Sequence, residues 1–234
     1  MKVAIIGATG SIGSLIFRHT LQRDDISEVV AVTRKPLSIT DPRVHNAVIP
    51  DFGALDSLPD ATWSAIQTAD ALVWAMGTYD INEDVNFTYP LEFQKRLAQR
   101  LSESRAREGK TAPFRFILLG GALTETDQSR WLYFLPQPRR TKGLLQTKTL
   151  EFAEAWGEGW VAHVIRPGGV LMSDNNLLHT AAGLVLGSKL LVGGQELGAF
   201  VADLAVNGSE RNVIENSEIV ETGRRLIAID SERS

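Results

Sequence analysis

The run Lys2-Val3-Ala4-Ile5-Ile6-Gly7-Ala8-Thr9-Gly10-Ser11-Ile12-Gly13 constrains this chain more than any other stretch of it. Val3 to Ile6 is an apolar burst of the length of a fully buried parallel strand, and Ser14 to Leu21 reads as a helix. Between them three glycines recur at three-residue spacing. Gly7 permits a tight turn out of the strand, Gly10 lets the backbone approach an anion closely, and Gly13 lets the helix lie close to the sheet. The free N–H groups of the helix's first turn then face that anion. Strand, glycine turn and helix in this order point to a bound dinucleotide, its pyrophosphate on Gly7, Thr9, Gly10, Ser11, Ile12 and Gly13. A plain glycine-rich turn is the competing reading, since turns need glycine too.

Strand and helix signals alternate along most of the remaining chain. Glu28 to Thr33, Val44 to Pro50, Ala69 to Ala75, Phe114 to Leu119 and Trp160 to Ile165 read as strands. Phe87 to Arg107 and Thr141 to Trp156 read as helices, and Gly193 to Ile227 as mostly helical. This is the pattern of an α/β protein of the Rossmann type, a doubly wound parallel sheet with helices on both faces. With 234 residues, 44% of them hydrophobic, one domain is expected, residues from about 170 to 234 contributing a small C-terminal substrate cap. The one conspicuous loop, Leu123 to Arg140, carries Trp131, Tyr133, Phe134, Pro136 and Pro138.

A net charge of −4 gives no reason to expect nucleic acid or an anionic membrane as partner. There is no cysteine, which excludes disulfides, thiol catalysis and zinc–thiolate sites and fits a reducing compartment. The apolar start ends in glycine after a few residues, as a strand does and a signal peptide does not. The stretch from Gly183 to Gly194 is interrupted by Ser188 and Lys189 and is too short to span a bilayer. The expectation is a cytoplasmic protein, monomer or homodimer, whose partner is a small-molecule substrate.

The end of the second strand bears on which dinucleotide is held. An acid about 20 residues past the glycine turn selects NAD by accepting hydrogen bonds from the adenosine ribose. Here the residues are Thr33-Arg34-Lys35, two bases and no acid. A guanidinium and an ammonium suit a 2′-phosphate, so NADP(H) is the expected cofactor, against a reading of both as solvated loop charges. Asp51 and Phe52, after the third strand, are placed to flank the adenine.

With these pieces in view the chain resembles the short-chain dehydrogenase/reductase superfamily in its atypical branch, and within it the Tat-interacting-protein-like and NmrA-like group. The Gly-x-x-Gly-x-x-Gly turn belongs to that branch. Ala75-Met76-Gly77-Thr78 resembles the group's fourth-strand segment along the cofactor, and Arg166-Pro167-Gly168-Gly169 its sixth-strand turn near the nicotinamide. Asn212 to Asn216 with Ile219 resembles its C-terminal helix and tail. The superfamily reduces carbonyls with a tyrosine four residues before a lysine on one helix, and a serine after the fifth strand. The resemblance sets Lys148 at the lysine position, on the nicotinamide ribose, and Leu144 at the tyrosine position. Gly120-Gly121-Ala122 stands where the group carries a serine pair.

The usual proton relay is therefore absent, because an aliphatic side chain transfers no proton. Substitute donors are Thr78 and Tyr79 after the fourth strand and Tyr133 in the aromatic loop, with Thr124 in place of the serine. Lys142, Arg139 and Arg140 form a basic cluster suited to an acidic substrate. Each competes with an ordinary reading as a packed aromatic or a solvated charge. The four histidines are too scattered to suggest a metal site. Three functions stay open. They are an NADPH-dependent oxidoreductase on a small organic carbonyl, enone or imine, a redox-neutral isomerase or cyclase, and a regulator sensing NADP(H). An apolar pocket from Trp131, Tyr133, Phe134 and Met172, with a lid at Asp174 to His179, would favour an enzyme.

Overall fold

Strand β1 (Lys2–Ile6) is buried on both faces, with Val3, Ala4, Ile5 and Ile6 all inaccessible to solvent. Alternate residues of a strand point to opposite faces, so Val3 and Ile5 join one apolar cluster while Ala4 and Ile6 join another. That requires a layer of helices on each side. The computed structural model describes residues 1–78, 82–172 and 190–233 and shows this arrangement.

Helix α1 (Ser11–Gln22) leads to β2 (Glu28–Thr33) and then β3 (Val44–Val48). A short 3₁₀ turn (Phe52–Ser57) and α2 (Asp60–Gln67) return the chain to β4 (Ala71–Trp74). A π turn (Asp84–Thr88) runs into α3 (Tyr89–Glu108), which ends on Gly109 in the left-handed region. Then follow β5 (Phe114–Leu119), α4 (Pro136–Trp156) and β6 (Trp160–Arg166). The short strands β7 (Gly169–Leu171) and β8 (Leu191–Gly193) pair with each other. The chain closes with α5 (Gly194–Asn207), β9 (Val213–Glu215) and α6 (Asn216–Arg233).

The main sheet has seven parallel strands in the order β3-β2-β1-β4-β5-β6-β9. Apolar residues of α2, α3 and α4 cover one face, among them Trp63, Phe93, Leu97 and Leu145. Ile16, Leu197, Phe200, Val201 and Ile219 of α1, α5 and α6 cover the other. The expected doubly wound α/β fold is the fold observed.

Two elements depart from expectation, β9 and the start of α4. Val213–Glu215, expected within a helical tail, is the seventh strand, paired with Val164, Ile165 and Arg166 of β6. It has three residues and one buried side chain, Ile214, so it carries too little alternation to be read from sequence. Of the segment expected to contribute a cap, residues 191–233 form β8, α5, β9 and α6, and the lid expectation at Asp174 to His179 falls outside the described residues. Helix α4 starts at Pro136, earlier than the Thr141 expected, because proline is tolerated in a first helical turn whose N–H groups lack partners anyway.

One buried polar group makes the fold sensitive to acid. His163 in β6 is buried, and its Nδ1–H donates to the Arg211 carbonyl at 3.0 Å. Burial, with a smaller contribution from nearby Arg115, lowers its pKa below the ordinary 6.5. The unfolded chain therefore binds a proton more readily than the native one, and stability is lost as pH falls through about 6.5. Thermal unfolding followed from pH 7.5 to 5.5 is expected to show a smaller loss for His163→Gln than for the wild type. Parallel curves would rule this contribution out.

Candidate functional site

All seven strands run the same way, so the connections leaving β1, β4, β5 and β6 emerge at one carboxyl edge. Strand β1 lies between β2 and β4, where the winding reverses, and a crevice opens there in folds of this class. The glycine turn sits in that position. Gly7 has φ +82°, a left-handed conformation that favours glycine, and its N–H donates to the Val32 carbonyl at 3.2 Å. A Cβ on Gly13 would lie 2.0 Å from the Gly7 carbonyl oxygen, so α1 is seated directly on the turn. Gly10 caps α1 with no side chain to accept from the helix, and the N–H groups of Ser11, Ile12 and Gly13 have no partner within the helix. Thr9 and Ser11 are exposed beside them. This cradle suits a pyrophosphate in shape and in sign of charge.

Arg34 and Lys35 follow β2 at the same edge, both exposed and in no ion pair among the described residues. Thr33 holds this turn, its hydroxyl donating to the Lys35 carbonyl at 2.6 Å. Asp51 is exposed and accepts from the Gly53 N–H at 2.8 Å. Phe52 is turned the other way. It is buried among Trp74, Tyr89 and Phe93, with ring centroids at 5.5, 6.3 and 6.0 Å. Core packing therefore leaves Asp51 as the exposed side chain of the pair expected at the adenine.

Ala75, Met76 and Gly77 continue β4 along the edge. Ala75 N–H donates to the Ile6 carbonyl at 2.9 Å, and the Trp74 indole donates to the Met76 carbonyl at 3.0 Å. At the far side, Pro167 is buried and its carbonyl accepts from Ala122 at 2.8 Å. Gly168 donates to Asn216 Oδ1 at 2.6 Å, Gly169 donates to the Leu190 carbonyl at 2.8 Å, and Asn216 Nδ2 donates to the Leu191 carbonyl at 2.8 Å. Asn216 thus ties the turn after β6 to β8. Its use depends on a contact 48 residues distant in the chain, which no local pattern signals.

The two lysines of α4 stand in different surroundings. Lys148 is half exposed, and its ammonium pairs with Glu151 at 2.8 Å, one turn along the same helix. Lys142 is the lysine set against the end of β5, its Nζ 3.6 Å from the position of a Cβ on Gly121. Burial lowers its pKa below the ordinary 10.5. With Thr78, Asn82, Glu83, Asn86, Gln137, Pro138 and Thr141 it lines a cleft of about 40 Å³, room for little more than one water or one polar group.

The neighbouring cations are spent on the backbone. Arg139 donates to the carbonyls of Leu123 at 2.8 Å and Phe134 at 3.4 Å, and Arg140 to that of Arg130 at 2.7 Å. The guanidiniums thus pin the preceding loop, and of the expected basic cluster only Lys142 lines the cleft among the described residues. Thr124 Oγ is buried without a hydrogen-bond partner among the described residues, 3.9 Å from the Cβ position of Gly120. Tyr133 is 90% exposed and touches Trp131, itself 77% exposed, at 6.0 Å between centroids. Phe134 and Met172 are exposed as well, so among the described residues these four side chains form no apolar pocket. Tyr79 lies outside the described residues.

Among the described residues no group of three or more His, Asp or Glu could hold a metal ion, and no helix is long and apolar enough to cross a membrane. No family model and no curated protein sequence matches the chain. Solved structures do match its fold. The KRED1-Pglu enzyme is similar over 92% of this chain and 99% of its own, with a TM-score of 0.67 at 17% identity. A 4-hydroxyisoleucine dehydrogenase complexed with NADH is similar over 93% and 98%, with a TM-score of 0.64 at 16% identity. A short chain dehydrogenase family protein from Francisella tularensis subsp. tularensis SCHU S4 is similar over 92% and 95%, with a TM-score of 0.61 at 16% identity.

Proposed function

We propose that this chain is an NADP(H)-binding oxidoreductase of the short-chain dehydrogenase/reductase type, of the atypical, NmrA-like kind, acting on a small organic carbonyl, enone or imine. The observation that carries the reading is the glycine cradle, in which α1 lies so close to Gly7 that no side chain fits at Gly13 and its first-turn amides stay open. Gly7 to Gly13 would hold the pyrophosphate, Arg34 and Lys35 the 2′-phosphate, and Asp51 the adenine end. Ala75 to Gly77 and Pro167 to Gly169 would line the path to the nicotinamide. A bound dinucleotide would supply hydride. The structural neighbours, a dehydrogenase complexed with NADH among them, support this chemistry.

The chain lacks the phenol and hydroxyl that the superfamily uses for proton transfer, with Leu144 and Gly121 at those positions. We place the protein in the cytoplasm as a monomer or homodimer. One observation favours a second reading, an NADP(H)-sensing regulator: Trp131, Tyr133, Phe134 and Met172 are exposed. Single-turnover incubation of bound NADPH with aldehyde, enone and imine panels separates the two, since only the oxidoreductase consumes NADPH.

Cofactor choice is tested by titrating NADPH and NADH against the wild type and Arg34→Ala. Hydrogen bonds to a charged group contribute about 1.5–3 kcal/mol, so the variant is expected to bind NADPH roughly 10- to 150-fold more weakly with NADH affinity unchanged. Equal affinity of the wild type for both cofactors would sink the NADP(H) assignment.

A further inference from the structure

We infer that Lys142 is the catalytic proton donor of this site, its ammonium meeting the carbonyl oxygen of a small organic substrate in the cleft between the β4 exit and the start of α4. The inference rests on the oxidoreductase reading and adds to it the residue that the missing phenol leaves unnamed.

Three observations place the group. Its Nζ stands 3.6 Å from the Cβ position of Gly121, at the carboxyl end of β5, where a serine or larger side chain would crowd it. It lines a cleft with neutral hydrogen-bonding groups, Thr78, Asn82, Asn86, Gln137 and Thr141, that has room for about one polar group. The other cations at this end of α4, Arg139 and Arg140, are held by the carbonyls of Leu123, Phe134 and Arg130. Glu83, on the π-turn side, is the one described carboxylate lining the cleft, and it makes no ion pair with Lys142. Burial alone lowers the lysine's pKa, which makes it a better acid than a solvated lysine.

The step balances as follows. The substrate's carbonyl carbon takes hydride from a reduced nicotinamide dinucleotide, the carbonyl π pair moves to oxygen, and that oxygen takes a proton from Nζ. An alcohol, the oxidised dinucleotide and a neutral amine result, and the amine regains its proton from water. The donor is the ammonium form, so turnover falls as pH rises through the lowered midpoint of Lys142.

Two measurements test this. In dinucleotide-free protein carrying ¹³C-labelled lysine, one Cε resonance is expected to titrate at lower pH than all others and to vanish in Lys142→Arg. A Lys142 resonance titrating with the surface lysines overturns the inference, whether or not a given substrate is turned over. In NADPH-consuming assays Lys142→Met is expected to lose about 10²–10⁴-fold in kcat/KM while binding NADPH as the wild type does. Lys142→Arg keeps the charge but holds its proton too tightly to donate, so it is expected to stay slow and to lose the high-pH fall in rate. Full rescue by arginine would reduce the lysine to an electrostatic role and overturn the inference. Wild-type protein that binds no dinucleotide overturns the oxidoreductase reading as well; NADPH binding with an unmoved pH profile in Lys142→Met overturns this inference alone.

Discussion

Gly13→Ala is expected to cost both stability and dinucleotide binding. The added Cβ would sit 2.0 Å from the Gly7 carbonyl oxygen and 2.8 Å from its carbon. Both are backbone atoms of a turn tied to β2 through Val32 and followed by α1, so neither can swing aside as a side-chain tip would. Either α1 lifts from the turn or the turn leaves β2. Overpacking of this kind costs about 1–3 kcal/mol, occasionally more, and for a domain of this size each kcal/mol lowers Tm by roughly 2–4 °C. Gly10→Ala is the matched comparison. There the new Cβ meets only the Gly7 carbonyl oxygen, at 3.3 Å, and otherwise faces the open side of the turn. That variant is expected to unfold near the wild-type temperature and yet to bind NADPH weakly, because a methyl group would stand where the proposed function puts the pyrophosphate. Calorimetry and cofactor titration on the two variants separate close helix seating from close ligand approach. Wild-type Tm and affinity in Gly13→Ala would contradict the geometry described for the cradle.

The largest stability effect is expected at Phe93. Its side chain is fully buried in α3, at ring-centroid distances of 5.5 Å from Trp63, 5.5 Å from Trp74 and 6.0 Å from Phe52. These rings belong to α2, β4 and the turn after β3, so one side chain joins three segments of the face covered by α2, α3 and α4. Phe93→Ala removes that contact and leaves a cavity walled by rigid rings, which cannot collapse to fill it. Loss of a buried phenylalanine costs about 3–5 kcal/mol, a fall in Tm of roughly 6–20 °C. Phe93→Leu retains much of the volume and is expected to lose less than half as much. Near-equal unfolding midpoints for wild type and Phe93→Ala would mean that the cluster contributes little. Cofactor affinity measured well below Tm is expected to survive, because α1 and the glycine turn pack on the opposite face.

The glycine cradle was legible because its information is local. A strand, three glycines and a helix follow one another within 22 residues, and each glycine answers a backbone demand of its neighbours. Strands β2 and β5 carry the bounds expected of them for the same reason, since β-branched and aromatic runs bordered by turn residues specify a strand without distant help. Where a short element depends on a remote partner the signal fades. Strand β9 exists because β6 pairs with it, and Asn216 is useful because Gly168 and Leu191 come to it.

The sequence by itself determined the alternation of strands and helices, the doubly wound class and the position of the glycine turn, all of which follow from periodicity and turn chemistry. The tertiary structure alone decided where side chains point. Phe52 turns into an aromatic cluster built from three other segments, and Arg139 and Arg140 bind the carbonyls of their own preceding loop. Lys142 rather than Lys148 reaches the end of β5, because α4 begins at Pro136 and its seat on the sheet sets which turn stands at the carboxyl edge. A helix turns 100° per residue, so six residues along α4 change both the height and the direction of a lysine. No pattern within the helix reports how it is docked.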